Sequence, residues 1–292
     1  MATTSALSLW VSGARPRTLP LAVAPVILGA ASAWWADSFS VLLTALAALV
    51  AVALQIGVNY SNDYSDGIRG TDDFRVGPAR LTGAGLVTPR QVLIAALISF
   101  GVAALAGIAL IVLSASWWLL LFGLFALIAA WYYTGGKTPY GYLGLGEIVV
   151  FVFFGPIATI GTAYVQIGSA PLEAWFTGSA AGFFASAVLL VNNLRDIEQD
   201  TLASKNTLAV RVGATWAKVI ITVLLLAPYG IVALLSLLFL WAPLANIGLL
   251  LTIPTVVIVW SGTTPRELIT ALQLMTLNSL LFAVLLGGAI AF

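Results

Sequence analysis

The sequence predicts an all-α, polytopic membrane protein, a bundle of about nine transmembrane helices. The first observation is composition, since 61% of the 292 residues are hydrophobic and only 8% are charged, against roughly 25% charged residues in a soluble domain. The second is that the apolar residues form runs of roughly 18 to 25, the length that a helix needs to cross a bilayer. Outer-membrane β-barrels consist of short alternating segments, so this pattern excludes them.

The apolar runs between polar residues and Gly or Pro breaks place the spans in order along the chain. They lie near residues 18–36, 41–62, 90–113, 116–134, 145–165, 172–195, 217–240, 244–260 and 268–290. Because proline ends or kinks a helix, Pro243, Pro254 and Pro265 make the last three spans the least distinct. Eight or ten spans are therefore the alternatives to nine.

The basic residues indicate the orientation of the spans, because cytoplasmic loops collect Lys and Arg. With nine spans, all 12 basic residues lie before span 1 or after spans 2, 4, 6 and 8, which is one side of the membrane. We therefore expect a multi-pass protein of the plasma membrane with a cytoplasmic N-terminus and an external C-terminus. We also expect one domain over residues 1–292, with two long Asp-rich cytoplasmic loops at 63–89 and 196–216.

The chain contains no cysteine and no histidine. This absence excludes disulfides, thiolate nucleophiles, imidazole bases and metal ligands of either residue type. Any bound metal ion must therefore be held by oxygen.

Asparagine and aspartate form a stripe at the ends of two spans. At the end of span 2 the spacing is i, i+3, i+4 and i+7, and the residues are Asn59, Asn62, Asp63 and Asp66. At the end of span 6 the spacing is i, i+4 and i+8, and the residues are Asn192, Asp196 and Asp200. Either stripe alone is typical of a helix end that frays into water. Two stripes on the same membrane face, each starting inside an apolar span, favour a binding site, because an intramembrane carboxylate is costly.

The two stripes together predict a site for magnesium and a diphosphate. Mg²⁺ takes one or two carboxylates from a protein and completes its shell with water and substrate phosphate. Nearby bases can offset the remaining phosphate charge, and these are Arg69, Lys137, Arg195, Lys205 and Arg211. Taken singly, each base is more typical of a positive-inside anchor.

Several segments of the chain resemble the intramembrane aromatic prenyltransferases of the UbiA type, most closely the branch that prenylates 1,4-dihydroxy-2-naphthoate in menaquinone biosynthesis. The segments are Ala14-Arg15-Pro16-Arg17-Thr18-Leu19-Pro20, Asn62-Asp63 with Asp66 and Asp72, Tyr133-Thr134-Gly135-Gly136 with Pro139-Tyr140-Gly141-Tyr142 and Gly146-Glu147, and Asn192-Asn193-Leu194-Arg195-Asp196 with Asp200, Lys205, Thr207 and Leu208. The resemblance covers about two thirds of the chain.

The stripes and the resemblance together imply the site residues, with both Asp motifs at the cytoplasmic mouth of a central cavity and Mg²⁺ as the cofactor. The expected metal ligands are Asp63, Asp66, Asp72, Asp196 and Asp200. The expected catalytic residues are Asp66, Asp196, Asp200 and Lys137. The residues expected to bind the diphosphate or the acceptor are Arg15, Arg17, Asn59, Asn62, Arg69, Tyr133, Asn192, Asn193, Arg195 and Lys205. A further Asp that the resemblance places four residues after Asp66 is Gly70 here, so Asp72 is expected to serve instead.

The reaction implied by the resemblance transfers a polyprenyl group from polyprenyl diphosphate to 1,4-dihydroxy-2-naphthoate, with loss of CO₂ and diphosphate, to give demethylmenaquinone. We expect Arg15, Arg17 and Lys137 to receive the carboxylate of this aromatic acid. Other acceptors, such as 4-hydroxybenzoate or homogentisate, are the alternative. A membrane transporter is a further alternative, because broken helices and intramembrane Asp also build transport sites. We expect the lipid bilayer and these substrates as partners and no nucleic acid; the sequence specifies no oligomeric state.

Overall fold

The computed structural model of the protein describes residues 6–71 and 80–292. These residues are predominantly helical and include no strand, which confirms the predicted fold class. The helices are α1 (Ala6–Ala14), α2 (Pro20–Trp35), α3 (Val41–Ile68), α4 (Pro89–Ser114), α5 (Leu119–Tyr132), α6 (Gly146–Val152), α7 (Ala158–Ile167), α8 (Leu172–Arg195), α9 (Ile197–Leu202), α10 (Leu208–Leu235), α11 (Leu249–Ser261) and α12 (Pro265–Ala291). The predicted metal ligand Asp72 lies outside the described residues.

Seven helical segments of the described chain are long and apolar enough to cross a membrane. They are α3, α4, α6 joined to α7, α8, α10, α11 with the turn before it, and α12. The pair of α1 and α2, which is bent by 50°, makes an eighth if it is one span. The remaining predicted span corresponds to α5, whose 14 residues extend over about 21 Å, less than the roughly 30 Å of the hydrocarbon layer. The multi-pass architecture is confirmed with seven or eight spans by length.

Both Asp-rich connections are more helical than the sequence predicts. Helix α3 continues to Ile68, so the whole first stripe lies on one helix. In the second connection α9 occupies Ile197–Leu202. Helix α10 then begins at Leu208 rather than near residue 217, with a kink at Gly213, whose φ is 79°. Glycine tolerates this left-handed conformation because it has no Cβ.

The helix that starts at Gly146 contains a π turn at Phe153–Ile157 between α6 and α7. Pro156 lies in this turn, where its missing N–H and its ring prevent a regular α-helical hydrogen bond. Beside it, a Cβ on Gly155 would be 2.5 Å from the Gly178 carbonyl oxygen and 2.7 Å from the Gly182 Cα of α8. These glycines let two membrane helices approach backbone to backbone.

Helix α8 occupies the centre of the bundle and packs against α2, α6, α10 and α12. Its buried side chains, including Phe184 and Leu190, form the main apolar core with those helices. Outward-facing apolar side chains such as Leu105 and Leu121 are 71% and 73% exposed. Because water does not solvate such a surface favourably, these faces are suited to lipid.

A buried polar triad joins the last three long helices. The Tyr229 hydroxyl of α10 is 2.8 Å from the Thr252 hydroxyl of α11. The Asn278 amide of α12 donates to Thr252 Oγ1 at 2.7 Å and to Tyr229 Oη at 3.1 Å. Gly248 leaves room for it, since a Cβ there would be 2.5 Å from Asn278 Oδ1. Interhelical hydrogen bonds of this kind stabilise packing inside a membrane.

Candidate active site

Two adjoining cavities lie at the end of the bundle where α3 and α8 terminate. The polar pocket has a volume of about 110 Å³ and lies between the ends of α3 and α8, helix α9 and the turns that follow α5 and α9. The large cavity has a volume of about 580 Å³ and extends along apolar side chains of α5, α6 and α8. Both cavities are lined by Arg15, Asn62, Arg80, Tyr133, Leu189, Asn192 and Arg195. A molecule with a polar head and an apolar tail therefore fits across the junction.

The structure brings most of the predicted site residues into the polar pocket. Those that line it are Arg15, Asn62, Asp66, Tyr133, Asn192, Asn193, Arg195, Asp196, Asp200 and Lys205. Residues of both stripes therefore face one space, although more than 100 residues separate them in the chain. The i, i+4 spacing on α3 and α8 explains how each helix presents its own members.

Asp66 is the most heavily engaged carboxylate of the pocket and is 3% exposed. Its oxygens accept a hydrogen bond from the Tyr142 hydroxyl at 2.6 Å and from Lys205 Nζ at 3.1 Å. Arg80 lies 3.9 Å away. Burial opposes the charge on Lys205, but the carboxylates of Asp66 and Asp200 and the nearby Tyr142 raise its pKa above the ordinary value. A cation therefore balances Asp66 in the absence of substrate.

The second carboxylate group comes from the junction of α8 and α9. Asp196 receives two hydrogen bonds from the Arg195 guanidinium, at 2.7 and 2.6 Å. Asp200 is 8% exposed and accepts a hydrogen bond from the Thr207 hydroxyl at 3.3 Å. Burial raises the pKa of Asp200 to about 6; Lys205 lowers it and Asp196 raises it further. Of the two, Asp200 is therefore the carboxylate whose charge is held away from water.

The side chains of Asn62 and Asn193 are held in position by hydrogen bonds with neighbouring side chains. Asn62 Oδ1 accepts a hydrogen bond from the Thr134 hydroxyl at 2.7 Å, which ties α3 to the turn after α5. Asn193 Nδ2 donates to Glu147 Oε1 at 2.7 Å. Glu147 is buried at the start of α6, and its other carboxylate oxygen has no hydrogen-bond partner among the residues that the structure describes. These contacts orient the amides toward the polar pocket.

Five predicted residues lie elsewhere. Asn59 and Arg17 line only the large cavity, and Asn59 donates to the Ala14 carbonyl at 3.0 Å. Arg69 donates to the carbonyls of Thr134 and Gly136 and lines neither cavity. Lys137 is exposed and also lines neither cavity.

Of these outlying residues, Asp63 differs in being a carboxylate that lines only the large cavity. Both of its oxygens accept backbone hydrogen bonds, from Leu81 and Thr82 at 2.8 Å each. The structure gives no support to a metal-binding Asp63, because Asp63 does not line the polar pocket with the other carboxylates and both of its oxygens accept backbone hydrogen bonds. It gives none to a catalytic Lys137 either, because the turn after α5 directs that side chain to the surface.

The sequence reasoning missed Tyr142, Arg80 and Glu147. Tyr142 fits an interfacial aromatic belt by its position, but its hydroxyl contacts Asp66 and its ring lies 4.7 Å from Lys205 Nζ. Arg80 was counted only as a positive-inside residue. Nothing in the local spacing of the sequence distinguishes Arg80 from other basic residues, because only the tertiary fold brings Arg80 to the polar pocket. Glu147 belongs to the resemblance, and its burial is the signal that only the structure supplies.

The donor chemistry of the polar pocket fits a magnesium ion. Asp66, Asp196 and Asp200 supply carboxylate oxygens, and Asn62 and Asn192 supply amide groups, all hard ligands of the type that Mg²⁺ prefers. Within the described residues, no three carboxylates converge into a ready-made metal cage. This agrees with an ion that takes few ligands from the protein and the rest from water and phosphate.

Both the sequence and the fold of this chain are similar to those of known proteins. The UbiA prenyltransferase family matches residues 22–290. The chain is 47% identical to "1,4-dihydroxy-2-naphthoate octaprenyltransferase" of Mycobacterium tuberculosis, over 97% of each chain. Its fold is similar to the apo structure of a UbiA homolog from Aeropyrum pernix K1, with a TM-score of 0.71, 15% identity, and coverage of 90% of this chain and 95% of that one. It is also similar to a UbiA homolog from Archaeoglobus fulgidus bound to DMAPP and Mg²⁺, with a TM-score of 0.60, 18% identity, and coverage of 94% and 98%.

Proposed function

This chain belongs to the UbiA prenyltransferase family, and we propose that it transfers a polyprenyl group from polyprenyl diphosphate to 1,4-dihydroxy-2-naphthoate. Carbon dioxide and diphosphate are released, and the product is the hydroquinone form, demethylmenaquinol, because the transfer involves no oxidant. The observation that carries the proposal is the junction of a polar pocket rich in carboxylates and bases with a large apolar cavity. The 47% identity to a relative named for this reaction supports the choice of acceptor.

We assign the metal site to Asp66, Asp196 and Asp200, with Asn62 and Asn192 beside them. Bound Mg²⁺ supplies electrostatic stabilisation of a leaving diphosphate. Asp63 is not included, because its oxygens hold the backbone of Leu81 and Thr82.

The bases of the pocket complete the neutralisation of the diphosphate. Lys205, Arg195 and Arg80 are all buried and line the polar pocket. As the allylic carbon–oxygen bond breaks, negative charge gathers on the leaving group, and fixed cations in a site away from water stabilise that charge. Lys205 Nζ, which donates to Asp66 at 3.1 Å, is thereby placed to interact with the phosphates as well.

The large cavity holds the reacting carbon and keeps water from it. Its walls carry the aromatic residues Tyr133, Tyr140, Phe153 and Phe154. Aromatic faces stabilise a nearby cation through their quadrupole, and an apolar wall excludes the water that would capture an allylic cation. The electron-rich naphthoate ring then forms the new carbon–carbon bond.

The acceptor carboxylate is assigned to Arg15 and Arg17, which both line the large cavity. Arg15 also lines the polar pocket, so it lies between the two substrates. It has a left-handed backbone, with φ of 55°, at the bend between α1 and α2. A guanidinium binds a carboxylate through two parallel N–H groups, which favours an aromatic acid over a neutral phenol.

We also propose that the protein lies in the plasma membrane with the polar pocket on the cytoplasmic side. The 12 Lys and Arg residues fall on that side of the nine-span arrangement.

The test is an activity assay with purified enzyme in detergent. We expect Mg²⁺-dependent release of diphosphate, fastest with 1,4-dihydroxy-2-naphthoate and slower with 4-hydroxybenzoate or homogentisate. Faster turnover with 4-hydroxybenzoate under equal conditions would refute the acceptor assignment. Full activity in excess chelator would refute the metal assignment, and no diphosphate release with any acceptor would favour a transporter.

A further inference from the structure

The segment that carries Arg80 is bound directly to the end of α3 by Asp63. Asp63 is 2% exposed. Its Oδ2 accepts the backbone N–H of Leu81 and its Oδ1 accepts that of Thr82, both at 2.8 Å. A carboxylate that accepts two backbone N–H groups forms strong, charge-assisted hydrogen bonds with a defined direction. The peptide that follows Arg80 is thereby fixed relative to the helix that presents Asp66.

Two glycines show how tightly this segment is fitted. A Cβ on Gly67 would lie 2.4 Å from Thr82 Cγ2 and 3.0 Å from the backbone nitrogen of Gly83. A Cβ on Gly13 would lie 2.6 Å from Leu81 Cδ1, and Leu81 itself is 2% exposed. The close approach at Gly67 and the burial of the Leu81 side chain add packing contacts to the Asp63 hydrogen bonds. All three features hold the segment in the same position.

The result of this fit is the placement of the Arg80 guanidinium. Arg80 is 9% exposed, and its Nη2 lies 3.9 Å from Asp66 Oδ2. It lines both the polar pocket and the large cavity. It therefore lies at the junction, where the proposed function places the oxygen that links the diphosphate to the allylic carbon. Guanidinium is the side-chain cation whose planar N–H groups match phosphate oxygens in pairs.

We propose that Asp63 is a positioning residue that acts through Arg80, the arginine assigned above to the diphosphate, and that Asp63 is not a metal ligand. This inference rests on the proposed function for the identity of the donor. The two Asp residues of the first stripe then have different roles. Asp66 faces the metal and the phosphate, and Asp63 holds the backbone next to the phosphate-binding Arg80.

The experiment measures the Mg²⁺-dependent affinity of purified protein for inorganic diphosphate by calorimetry, beside KM for the prenyl donor and the Mg²⁺ concentration for half-maximal activity at saturating donor. We expect Arg80→Ala to raise the Kd for diphosphate about tenfold, equal to about 1.4 kcal/mol. Asp63→Asn should raise it by a similar factor. The double variant should be little worse than either single one, because the two act as a unit.

Three further variants make the result specific. Gly67→Ala should raise the same Kd without touching any charge, and it replaces Asp63→Asn if that variant fails to fold. Asp66→Asn should raise the Mg²⁺ requirement, which Asp63→Asn should leave unchanged. Glu198→Gln removes an exposed carboxylate from nearby α9 and should behave as wild type.

Two outcomes would overturn the inference. One is an unchanged diphosphate Kd in Arg80→Ala. The other is an Mg²⁺ requirement in Asp63→Asn that rises as far as in Asp66→Asn, which would make Asp63 a ligand. Failure of the proposed function would give a different result, because wild-type protein would bind Mg²⁺ and diphosphate but transfer no prenyl group. The ratios of the diphosphate Kd values would still decide the roles of Arg80 and Asp63.

Discussion

Replacing Asp200 by Asn should make the metal-free protein more stable at neutral pH while abolishing its turnover. Asp200 is buried at 8% exposure beside Asp196. Without a metal ion in the pocket, its ionised form lacks the hydration that it has in the unfolded chain. Asparagine keeps the shape and removes the charge. The same change removes a proposed metal ligand, so stability and activity should move in opposite directions.

The magnitude follows from the pKa of Asp200. Burial raises it to about 6 from an ordinary 3.8, which at 1.36 kcal/mol per pKa unit corresponds to about 3 kcal/mol. Because the folded state binds the proton more tightly than the unfolded state does, this stabilisation is present at low pH. It is lost as pH rises from about 4 to about 6. Above that window the metal-free wild type is destabilised by the full amount.

The assay is thermal unfolding of wild type and Asp200→Asn in detergent with chelator, between pH 4.5 and 7.5. The melting temperature of wild type should fall with pH relative to that of the variant, and Mg²⁺ with diphosphate should restore it. Glu198→Gln on the same helix is the control and should retain the wild-type slope. An Asp200→Asn variant that is less stable than wild type at pH 7.5, with an unchanged slope, would refute this account of the pocket.

Three other outcomes are expected. Lys205→Met should lower turnover by at least tenfold, about 1.4 kcal/mol, because it removes the cation that donates a hydrogen bond to Asp66 and part of the positive charge around the phosphates; wild-type steady-state rates would contradict this. Tyr142→Phe removes the 2.6 Å hydrogen bond to Asp66 and should lower kcat/KM about tenfold, in line with the strength of hydrogen bonds to charged groups, whereas an unchanged value would show that this bond does not position Asp66. In intact cells, an impermeant maleimide applied outside should label Ser169→Cys and not Thr138→Cys. Both positions are exposed and lie at opposite ends of the segment from Gly146 to Ile167. Labelling of Thr138→Cys alone would mean that the orientation is inverted.

The features that the sequence predicts well are those with a local cause. An apolar run of membrane-crossing length is stable as a transmembrane helix, so the positions of the long helices along the chain follow from hydropathy. The i, i+4 spacing of Asp196 and Asp200 on one side and of Asn62 and Asp66 on the other places each group on one face of its helix. That both groups meet in one pocket follows from their shared side of the membrane.

The features that the sequence does not predict depend on how distant segments fold back. Lys137 and Lys205 are equivalent in a count of basic residues, yet only Lys205 reaches Asp66. Asp63 differs from Asp66 only by three positions on one helix, and its role depends on backbone amides at 81 and 82. No periodicity connects Arg80 to the pocket, because Arg80 lies outside the helices that the structure describes.

The triad of Tyr229, Thr252 and Asn278 has a consequence for a part of the chain without any recognised motif. Apolar helices in lipid can slide along one another at little cost, since Leu gains about as much from lipid tails as from another Leu. The hydrogen bonds of the triad oppose such sliding, because they form in only one alignment of the three helices. A shift of one helix by one turn, about 5.4 Å, breaks its hydrogen bonds and leaves polar groups unpaired in hydrocarbon. Three polar side chains thus give the C-terminal third a single alignment that hydropathy alone does not encode.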